Sequence, residues 1–425
     1  MPKTLAMVLA GGRVDELGVL TFLRPKSTVP FGGLYRFIDF PLSNLMQSGI
    51  ERVGILSQYR SSSLIEHIGT GASWDMTGRN RGITLLPPFQ GLHASDWYKG
   101  TADAVYQNLD FIHAHKPDLV LILSGDHIYH MNYQKLIQFH LDMGADVTAS
   151  FVQVSPAGLS RFGLAKISKD DPRGGRLLEY LEKPDHPASN WASMTAYLFK
   201  TEILEQALKE NAVIDSHEFG RDIFPAIMSK HKVYGYKFHG YWGYSRTLEE
   251  YWTANMDLLG ERPEIKLYDW QIRTNLDHEA IRDRSPALIG PQGSIDNSRI
   301  YNGVRVEGHV ARSILFPGAY VGTEAVVEDS ILFFDTQVGP GARVKNTITD
   351  LGVSIGRDSV IGKKDEALTV IGIRTQIPQG IKIGPGCSVH PELKAENFIQ
   401  KLYVQGDVIT ADNQCLNEKA VQTQF

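Results

Sequence analysis

The sequence predicts an α/β chain with two parts, a doubly wound parallel sheet followed by a parallel β-helix. Short apolar runs alternate with helical patterns from residue 4 to about 260, which is typical of a parallel sheet covered on both faces. From residue 304 onward, aliphatic residues recur every 17 positions. We expect three segments along the chain: a doubly wound domain at 1–260, a connector at 261–287 and the β-helix domain at 288–425.

Buried strands and amphipathic helices alternate in the first part of the chain. Short continuous apolar runs predict the strands, at residues 5–9, 53–56, 119–123 and 147–154. Apolar spacings of three and four predict the helices, at residues 37–46, 101–115 and 133–143. Sheets of this kind bind ligands beyond the carboxyl ends of their strands. Glycine turns at 11–12 and at 125 follow the first and third strands, so we expect a ligand site at that edge.

The second part repeats a short aliphatic pattern. Successive units begin 17 residues apart and space their aliphatic residues six apart, at 304–310, 321–327, 338–344 and 355–361. Six-residue spacing inside a longer repeat is typical of a hexapeptide parallel β-helix, whose coils bury their aliphatic side chains and stack. A β-sandwich is the alternative, but its strands rarely keep so constant a period. The tail at 393–425 lacks the pattern, and we expect it to pack back or to form short strands.

Composition and charge exclude several classes of protein. The 425 residues carry a net charge of −5, and 42% are hydrophobic, so neither a disordered chain nor a general nucleic-acid binder is expected. Two cysteines, Cys387 and Cys415, are too few for a disulfide scaffold or a cysteine zinc site. No apolar run approaches the roughly 20 residues of a membrane span, and the short apolar start favours a first strand over a signal peptide. We therefore expect a cytoplasmic protein with neither membrane nor nucleic-acid partners.

A glycine turn and a basic segment follow the first strand. Gly11 and Gly12 let backbone N–H groups approach a phosphate, because glycine has no Cβ in the way. Alone this pattern is weak, since a tight turn also favours glycine. Arg24, Lys26 and Arg36 then place three cations after the turn. Such a group suits a polyphosphate, and a solvated basic loop is the alternative.

Four further motifs make the pattern specific. They are WYKGTADA at 97–104, SGDHIY at 124–129, EKP at 182–184 and ASM at 192–194. With them the chain closely resembles the glucose-1-phosphate adenylyltransferases, or ADP-glucose pyrophosphorylases, over nearly its whole length. The resemblance implies a Rossmann-like nucleotidyltransferase domain followed by a left-handed parallel β-helix. It also implies formation of ADP-glucose and pyrophosphate from ATP and glucose 1-phosphate with Mg²⁺, by an allosterically regulated tetramer of glycogen or starch synthesis.

The resemblance assigns roles to residues of these motifs. The catalytic residues are Lys26, which steadies the α-phosphate, and Asp126, which is also the first metal carboxylate. The nucleotide-binding positions are Gly11, Gly12, Arg13, Gly100 and Thr101. The substrate-binding positions are Tyr98, Gly163, Glu182, Lys183 and Ser193, of which Lys183 grips the sugar phosphate and Glu182 the sugar hydroxyls. Without the family, Asp126 would be a helix N-cap candidate and the EKP motif a surface turn.

Two charged positions depart from the family pattern. The phosphate loop, Gly-Gly-x-Gly-x-Arg-Leu in the family, has Val14 at a glycine and Glu16 at the catalytic arginine. The later segment, Trp-x-Asp-Val-Gly-Thr in the family, has Tyr244 at the second metal aspartate and Arg246 two residues further on. A third glycine position holds Thr195. One unit-charge pair at about 4 Å is worth ~4 kcal/mol at an effective dielectric constant of roughly 20, so turnover should fall by several powers of ten unless another cation compensates.

These departures leave three hypotheses for the function. They favour a catalytically impaired regulatory subunit that binds glucose 1-phosphate and ATP or ADP-glucose, in a homo- or hetero-tetramer with a catalytic paralogue. An active adenylyltransferase with a rearranged site is the alternative, and an acyltransferase using His309 or His390 on the β-helix is the third. We expect weakened Mg²⁺ binding, because phenol is a poor Mg²⁺ ligand at neutral pH. Aromatic residues on the coils could contribute to the tetramer interface: Phe316, Tyr320, Phe333 and Phe334.

Overall fold

The computed structural model describes residues 2–12, 14–89, 97–156, 158–411 and 416–417. The chain forms two structural units, each assembled from separate stretches of sequence. The first unit comprises Met1–Gly12, Phe37–Trp242 and Trp270–Arg273. The second unit comprises Arg13–Arg36, Gly243–Asp269 and Thr274–Phe425. These units are discontinuous, whereas the segments expected at 1–260, 261–287 and 288–425 follow the chain, and those boundaries stay a prediction.

A mixed sheet, nine-stranded over the described residues, is the centre of the first unit. In chain order its strands are β1 (Thr4–Leu9), β2 (Arg52–Leu56), β3 (Gly82–Leu86), β4 (Leu119–Ser124), β5 (Val147–Gln153), β6 (Gly163–Ile167), β7 (Gly174–Glu182), β8 (Trp191–Lys200) and β9 (Val233–Phe238). They lie in the order β3-β2-β1-β4-β8-β5-β9-β7-β6. β1 runs parallel to β2 and β4, as predicted, but β8 runs antiparallel to β4 and β5.

The helices of the first unit cover both faces of this sheet. They are α1 (Asp39–Gln47), α2 (Ser62–Ile68), α3 (Thr101–Tyr106), α4 (Leu109–His115), α5 (Tyr133–Asp142), α6 (Thr201–Asn211) and α7 (Phe224–Met228). Alternate residues of β1 point to opposite faces: Ala6 and Val8 pack with α1, α2 and α5, while Leu5 and Met7 pack with α3, α4 and α6. This is the predicted doubly wound arrangement. In the part of the chain that the structure describes, no helix is long and apolar enough to cross a membrane.

The helix predicted at 101–115 is two helices, because α3 ends at Tyr106 and α4 begins at Leu109. Asn108 lies between them, and its side-chain amide donates to the Ala104 carbonyl at 2.8 Å and to the Tyr98 hydroxyl at 3.0 Å. A side chain that bonds the backbone in this way competes with the helical hydrogen bonds. The apolar spacing continues across the break, so spacing alone could not reveal it.

The second unit contains the predicted parallel β-helix, with short strands stacked in three sheets. Over the described residues, the first sheet has Leu288–Ile289, Arg305–Val306, Tyr320–Val321, Gln337–Val338, Ser354–Ile355 and Gln376–Ile377. The second has Ser294–Asp296, His309–Ala311, Val326–Glu328, Arg343–Lys345, Val360–Ile361, Lys382–Ile383 and Leu402–Tyr403. The third has Arg299–Ile300, Ile314–Leu315, Ile331–Leu332, Thr347–Thr349, Thr369–Ile371, Ser388–Val389, Asp407–Ile409 and Leu416–Asn417. The tail therefore does form short strands. Leu402–Tyr403 and Asp407–Ile409 continue the parallel stack, whereas Leu416–Asn417 pairs antiparallel with the strand before it.

The 17-residue step holds through the middle coils and fails at both ends. Val321 lies opposite Val338, and Val338 opposite Ile355, as the repeat predicts. The partner of Val321 on the preceding coil is Val306 rather than the predicted Val304. Val304 is nevertheless fully buried in the coil core. Its apolar side chain therefore fits the repeat pattern although it is not the strand partner of Val321. Beyond Ile355 the step lengthens, because its next partner is Ile377.

The coil aromatic residues pack inside the second unit rather than on its surface. Phe316, Phe333 and Phe334 are at most 2% exposed, and their rings contact one another. Phe333 also meets Tyr251 of α8 (Leu248–Met256), with ring centroids 6.4 Å apart. The expectation that these phenylalanines could form an interface between subunits is therefore wrong. Tyr320 is half-buried and donates its hydroxyl to Glu307 at 2.8 Å.

Candidate functional site

A group of buried and half-buried residues lies around Glu182 in the first unit, and we call it the carboxylate cluster. It consists of Gly163, Tyr180, Glu182, Ser193, Tyr197 and Gly220. Glu182 ends β7 and lies opposite Gly163, the first residue of β6. The Tyr180 hydroxyl donates to Glu182 Oε2 at 2.9 Å. A Cβ on Gly163 would lie 2.6 Å from the same oxygen, and a Cβ on Gly220 would lie 2.3 Å from it. The two glycines therefore leave the space that the carboxylate occupies.

A break in β8 places Ser193 beside Tyr197. The pairing of β8 with β5 shifts register between Ser193 and Tyr197, and their hydroxyl oxygens are 3.0 Å apart. Thr195 lies within this break with φ +48°. A β-branched residue is a strained occupant of the left-handed region. The chain thus keeps a glycine-like backbone at Thr195, the position where the family pattern has glycine.

Burial keeps the two tyrosines of the carboxylate cluster protonated. Loss of solvent raises the pKa of Tyr197 to about 12, and the charge of Glu182 acts in the same direction. Burial likewise raises the pKa of Tyr180 well above its usual range, and the neighbouring Tyr197 and Glu182 add to the effect. Both side chains are therefore phenols at neutral pH. The cluster presents hydroxyl groups around one carboxylate, which is the chemistry needed to bind a polyol.

Lys183 and Tyr98 differ in what they present to solvent. The Lys183 backbone N–H donates to the Phe162 carbonyl at 3.1 Å, while the residue itself is exposed and has φ +48°. Tyr98 is 8% exposed, and its hydroxyl donates to the Leu86 carbonyl at 2.8 Å and accepts from Asn108. Burial raises the pKa of Tyr98. Lys183 can therefore reach an anionic ligand, whereas the Tyr98 hydroxyl is already bound inside the protein.

Gly100 and Thr101, which the resemblance assigns to nucleotide binding, contact other protein groups. Thr101 donates its hydroxyl to Glu218 at 2.6 Å and accepts the Phe219 N–H at 3.2 Å. A Cβ on Gly100 would lie 2.3 Å from the His217 carbonyl oxygen. This close approach explains why glycine occupies position 100.

The glycine turn and Asp126 follow two adjacent strands of the first unit, β1 and β4. A Cβ on Gly11 would lie 2.9 Å from the Gln58 backbone nitrogen, whereas a Cβ on Gly12 would have no described atom within 4 Å apart from its own residue and its chain neighbours. Arg13 lies outside the described residues. Asp126 comes directly after the Ser124-Gly125 end of β4 and accepts a hydrogen bond from the Ser124 hydroxyl. Both segments thus lie at the strand edge where the sequence predicts a ligand site.

Lys26 belongs to the second unit, where it is one of four residues that we call the ion-pair cluster: Glu16, Lys26, Tyr244 and Arg246. Lys26 is 2% exposed. Its Nζ donates to the Tyr244 carbonyl at 2.7 Å and lies 5.2 Å from the centre of the Tyr244 ring. A buried ammonium group held by a carbonyl and an aromatic face is well stabilised. Residue 244 therefore contributes its carbonyl and its ring to the surroundings of Lys26.

Arg246 joins the two positions that depart from the family pattern. Its Nε donates to Glu16 Oε1 at 2.7 Å, and its Nη1 donates to the Tyr244 hydroxyl at 3.3 Å. Burial acts to lower the pKa of Arg246, but the hydrogen bonds with Tyr244 and Glu16 outweigh it and raise that pKa. The Arg246 backbone N–H donates to Glu250, whose side chain also caps α8. The guanidinium is thus fixed at the start of a helix.

The ion pair offsets the negative charge that the sequence places at position 16. The sequence predicts an anion facing the phosphates, but the charge of Glu16 is balanced by Arg246. The two side chains are 45% and 35% exposed, so solvent screens the pair and its contribution to stability is about 0–1 kcal/mol. Arg246 is therefore the cation that could compensate for the missing arginine.

The residues around position 244 do not fit a magnesium ion. Mg²⁺ prefers carboxylates, phosphates and water as ligands. The oxygen of Tyr244 is a phenol that accepts a hydrogen bond from a guanidinium, and a nearby guanidinium disfavours a metal ion. Within the described ranges, no group of three or more His, Cys, Asp and Glu residues is placed to hold a metal. Asp126 is thus the candidate metal carboxylate that this chain retains at the family's positions.

Several residues of the two clusters were not predicted from the sequence. Tyr180 lies two positions before Glu182 on β7, and the two-residue period of a strand could have placed it on the same face. Tyr197 comes to Ser193 through the register shift in β8. Gly220 reaches Glu182 from a turn of π-helix at Phe219–Ile223. No sequence pattern indicated that Gly220 lies beside Glu182. No pattern indicated that Arg246 contacts Glu16 either, which is 230 residues away.

The two coil histidines have contacts that suit structural roles. His309 Nδ1 lies 2.8 Å from the Ser294 hydroxyl on the neighbouring coil. His390 packs edge-on against Phe22, and burial lowers the pKa of its imidazole. Both contacts tie one part of the second unit to another, so they do not favour the acyltransferase hypothesis.

Comparison with known proteins matches both parts of the chain. Residues 5–261 match the family model described as nucleotidyl transferase, and residues 287–369 match the model described as GlmU-like, C-terminal hexapeptide. Several curated relatives carry the name glucose-1-phosphate adenylyltransferase. The protein of Thermotoga maritima is 40% identical over 427 residues, covering 96% of this chain and 99% of its own. That of Acetivibrio thermocellus is 38% identical, with coverage of 93% and 95%, and that of Clostridium perfringens strain SM101 is 44% identical, with coverage of 79% and 86%.

Proposed function

The chain belongs to the glucose-1-phosphate adenylyltransferase family, and on that premise we propose that it is a catalytically impaired member that binds glucose 1-phosphate and regulates a catalytic paralogue. The observation that carries this proposal is the Glu16–Arg246 ion pair, with Tyr244 bonded to the same guanidinium. In the family pattern these two positions act on ATP and on the metal. Here Glu16 and Tyr244 both accept hydrogen bonds from Arg246 instead.

The reaction of the family explains why these changes reduce turnover. A sugar phosphate oxygen attacks the α-phosphorus of ATP and pyrophosphate leaves, so anionic groups must be brought together and stabilised. A carboxylate at position 16 cannot bind a phosphate oxygen as an arginine does. A phenol at position 244 does not supply the negative charge that holds Mg²⁺. The loss is chemical rather than structural, because the fold around both positions is formed.

The carboxylate cluster supports retained binding of a sugar phosphate. Glu182 accepts hydrogen bonds, Tyr180 and Tyr197 stay protonated, and Lys183 is exposed beside them. These groups match the hydroxyls and the phosphate of glucose 1-phosphate. A protein that binds this ligand without consuming it could report its concentration to a partner, with a coupling free energy of about 1–3 kcal/mol.

A second candidate function is an active adenylyltransferase with a rearranged site. Arg246 favours it, because this guanidinium is fixed 2.7 Å from Glu16 and supplies a cation near the position that lost one. In that case Arg246 would bind the leaving pyrophosphate once Glu16 moves away. The two functions predict different turnover by the isolated protein.

The first experiment separates these candidates by pyrophosphate release. We expect release by the purified protein with ATP, glucose 1-phosphate and Mg²⁺ to be far below the ordinary enzyme median of ~10 s⁻¹. Adding the protein to a catalytic paralogue should change the activity of that paralogue or its response to glucose 1-phosphate. Turnover near the median by the protein alone would favour the rearranged enzyme instead.

The second experiment tests ligand binding by calorimetry. Glucose 1-phosphate should bind the wild type, and Lys183→Ala should weaken binding by about tenfold or more, as expected for one lost charged hydrogen bond. Lys166→Ala is the matched control, because Lys166 is a half-exposed lysine paired with Glu179 on the strands β6 and β7. If the wild type does not bind glucose 1-phosphate, or Lys183→Ala binds equally well, a scaffolding role becomes the better account.

The proposal has three further features. We propose a homo- or hetero-tetramer, a cytoplasmic location, and Mg²⁺ binding weaker than in a relative with both metal carboxylates. Light scattering tests the first, since a monodisperse monomer at micromolar concentration would exclude the tetramer. Calorimetry with Mg²⁺-ATP tests the last.

A further inference from the structure

The β-helix holds the segment around Lys26 from both sides. Before Lys26, the ring of Phe22 packs edge-on against His390, with centroids 5.3 Å apart. After Lys26, the carbonyl of Gly32 accepts a hydrogen bond from the Tyr301 hydroxyl. Both partners are coil residues. The segment that carries a phosphate-binding lysine in the family pattern is thus mounted on the β-helix within the second unit.

A third contact with the β-helix is a buried ion pair, and it lies nearer to Lys26 along the chain than the other two contacts. Arg24 Nη2 contacts both carboxylate oxygens of Asp350, at 2.6 and 2.7 Å. Arg24 is 6% exposed and Asp350 is 0% exposed. Asp350 Oδ1 also accepts the Leu351 N–H at 2.6 Å, which fixes the orientation of the carboxylate. Because a buried charge is costly without its partner, Arg24 is strongly confined to this position.

Pro25 transmits this confinement to Lys26. It is the single residue between Arg24 and Lys26, and its ring fixes φ at −69°. The Pro25 carbonyl accepts both the N–H and the hydroxyl of Thr28, each at 3.1 Å. The turn is therefore rigid on both sides of Lys26, whose Nζ is directed at the Tyr244 carbonyl at 2.7 Å.

We propose that Asp350 of the β-helix is a positioning residue for Lys26, acting through Arg24 and the Pro25 turn. Asp350 lies in none of the sequence motifs that carry the family's chemistry. The expected effect of Asp350 on ATP binding rests on the proposed function, in which Lys26 contacts a nucleotide phosphate. The expected effect of Asp350 on the position of the Lys26 ammonium does not depend on that function.

The test uses the full-length chain and three variants. Asp350→Asn removes the carboxylate charge, and the double variant Arg24→Gln with Asp350→Asn removes both charges and so avoids an unpaired buried guanidinium. Asp335→Asn is the matched control, because the β-helix residue Asp335 forms a similar two-oxygen pair with Arg284, at 2.6 and 2.8 Å, but is half-exposed.

The first measurement is the acetylation rate of individual lysines by acetic anhydride, followed by mass spectrometry. We expect Lys26 to react about tenfold faster in both Asp350 variants, because local freedom exposes its amine, and at the wild-type rate in the control. Lys200 of the first unit, paired with Asp146 at 2.7 Å, should react at one rate throughout. An unchanged Lys26 rate in the folded double variant overturns the proposal, as does equal acceleration of both lysines.

The second measurement is the affinity for ATP by calorimetry. ATP should bind the double variant about tenfold more weakly than the wild type, a difference of about 1.4 kcal/mol, with glucose 1-phosphate affinity unchanged. If Lys26 acetylation accelerates but the wild type binds no ATP, the positioning role stands and the nucleotide part of the proposed function fails. If ATP binds and neither acetylation nor affinity changes, the positioning role fails and the proposed function stands.

Discussion

The carboxylate cluster of the first unit keeps the residues of the family pattern, whereas the ion-pair cluster of the second unit does not. In the first, the motif residues Glu182 and Ser193 remain, and glycines 163 and 220 keep the space that the carboxylate needs. In the second, Glu16 and Tyr244 replace motif residues, and Arg246 bonds to both. Both clusters contain internal hydrogen bonds, but the first keeps the residue types of the family pattern, while the second has lost two of them.

This difference separates binding from turnover. A site that only binds needs hydrogen-bond partners and space, and the carboxylate cluster provides both. A site that transfers a nucleotidyl group needs charges that are stronger partners for the transition state than for each other. A guanidinium already paired with a carboxylate supplies less of that stabilisation. The comparison of the two clusters supports the proposal that the protein is a sensor of glucose 1-phosphate rather than an efficient enzyme.

The largest effect on this comparison is expected from filling the space beside Glu182. Gly220→Ala should weaken glucose 1-phosphate binding by about 100-fold, or ~3 kcal/mol, because its Cβ would lie 2.3 Å from Glu182 Oε2 and displace the carboxylate. Calorimetry measures this loss. Gly82→Ala is the matched control, since the first unit offers open space around that glycine among the described atoms. Equal affinities in the two variants would show that the carboxylate cluster is not the sugar site.

A smaller effect is expected from relieving the strain at Thr195. Thr195→Gly should stabilise the first unit by about 1 kcal/mol, because φ +48° strains a β-branched residue and suits glycine. Urea unfolding measures the change. Thr84→Gly is the control, an exposed strand threonine in β3 whose loss should destabilise by about 1 kcal/mol. A destabilised Thr195→Gly would mean that the contacts of the threonine outweigh its strain.

The smallest effect is expected from the ion pair itself. A double-mutant cycle with Glu16→Ala and Arg246→Ala should give a coupling free energy below about 1 kcal/mol, since both side chains are partly exposed. The coupling should decrease at high salt. A coupling of several kcal/mol would show that the pair is a structural element of the second unit, and not only a change in its chemistry.

The fold was predictable from patterns that are local in sequence, and the site only in part. Apolar runs located β1 and β4, and the 17-residue step located the middle coils. The same logic failed at Val304, where a buried corner residue imitates a strand residue, and at Asn108, where a side-chain hydrogen bond interrupts a continuous apolar face. Local patterns do not show which other side chains and backbone groups a residue contacts.

For the candidate site, the resemblance indicated Glu182 and Lys26 as candidates but not the residues that surround them. Tyr197 approaches Ser193 because a strand shifts register, and Arg246 approaches Glu16 although 230 residues separate them. Such contacts depend on tertiary structure. The sequence allows for a compensating cation near Glu16 and includes Arg246, but it could not show that the two side chains form an ion pair.

The measurement that tests the central claim most directly is pyrophosphate release after restoring the family residues. The structure requires three changes, Glu16→Arg, Tyr244→Asp and Arg246→Gly, because a new arginine at position 16 would otherwise face the Arg246 guanidinium. We expect the folded triple variant to release pyrophosphate at least ~100-fold faster than the wild type, a gain of about 2.7 kcal/mol in activation free energy, and to lose this gain on adding Asp126→Asn. A folded triple variant with no more activity than the wild type would contradict the account and direct attention to Val14 and Thr195.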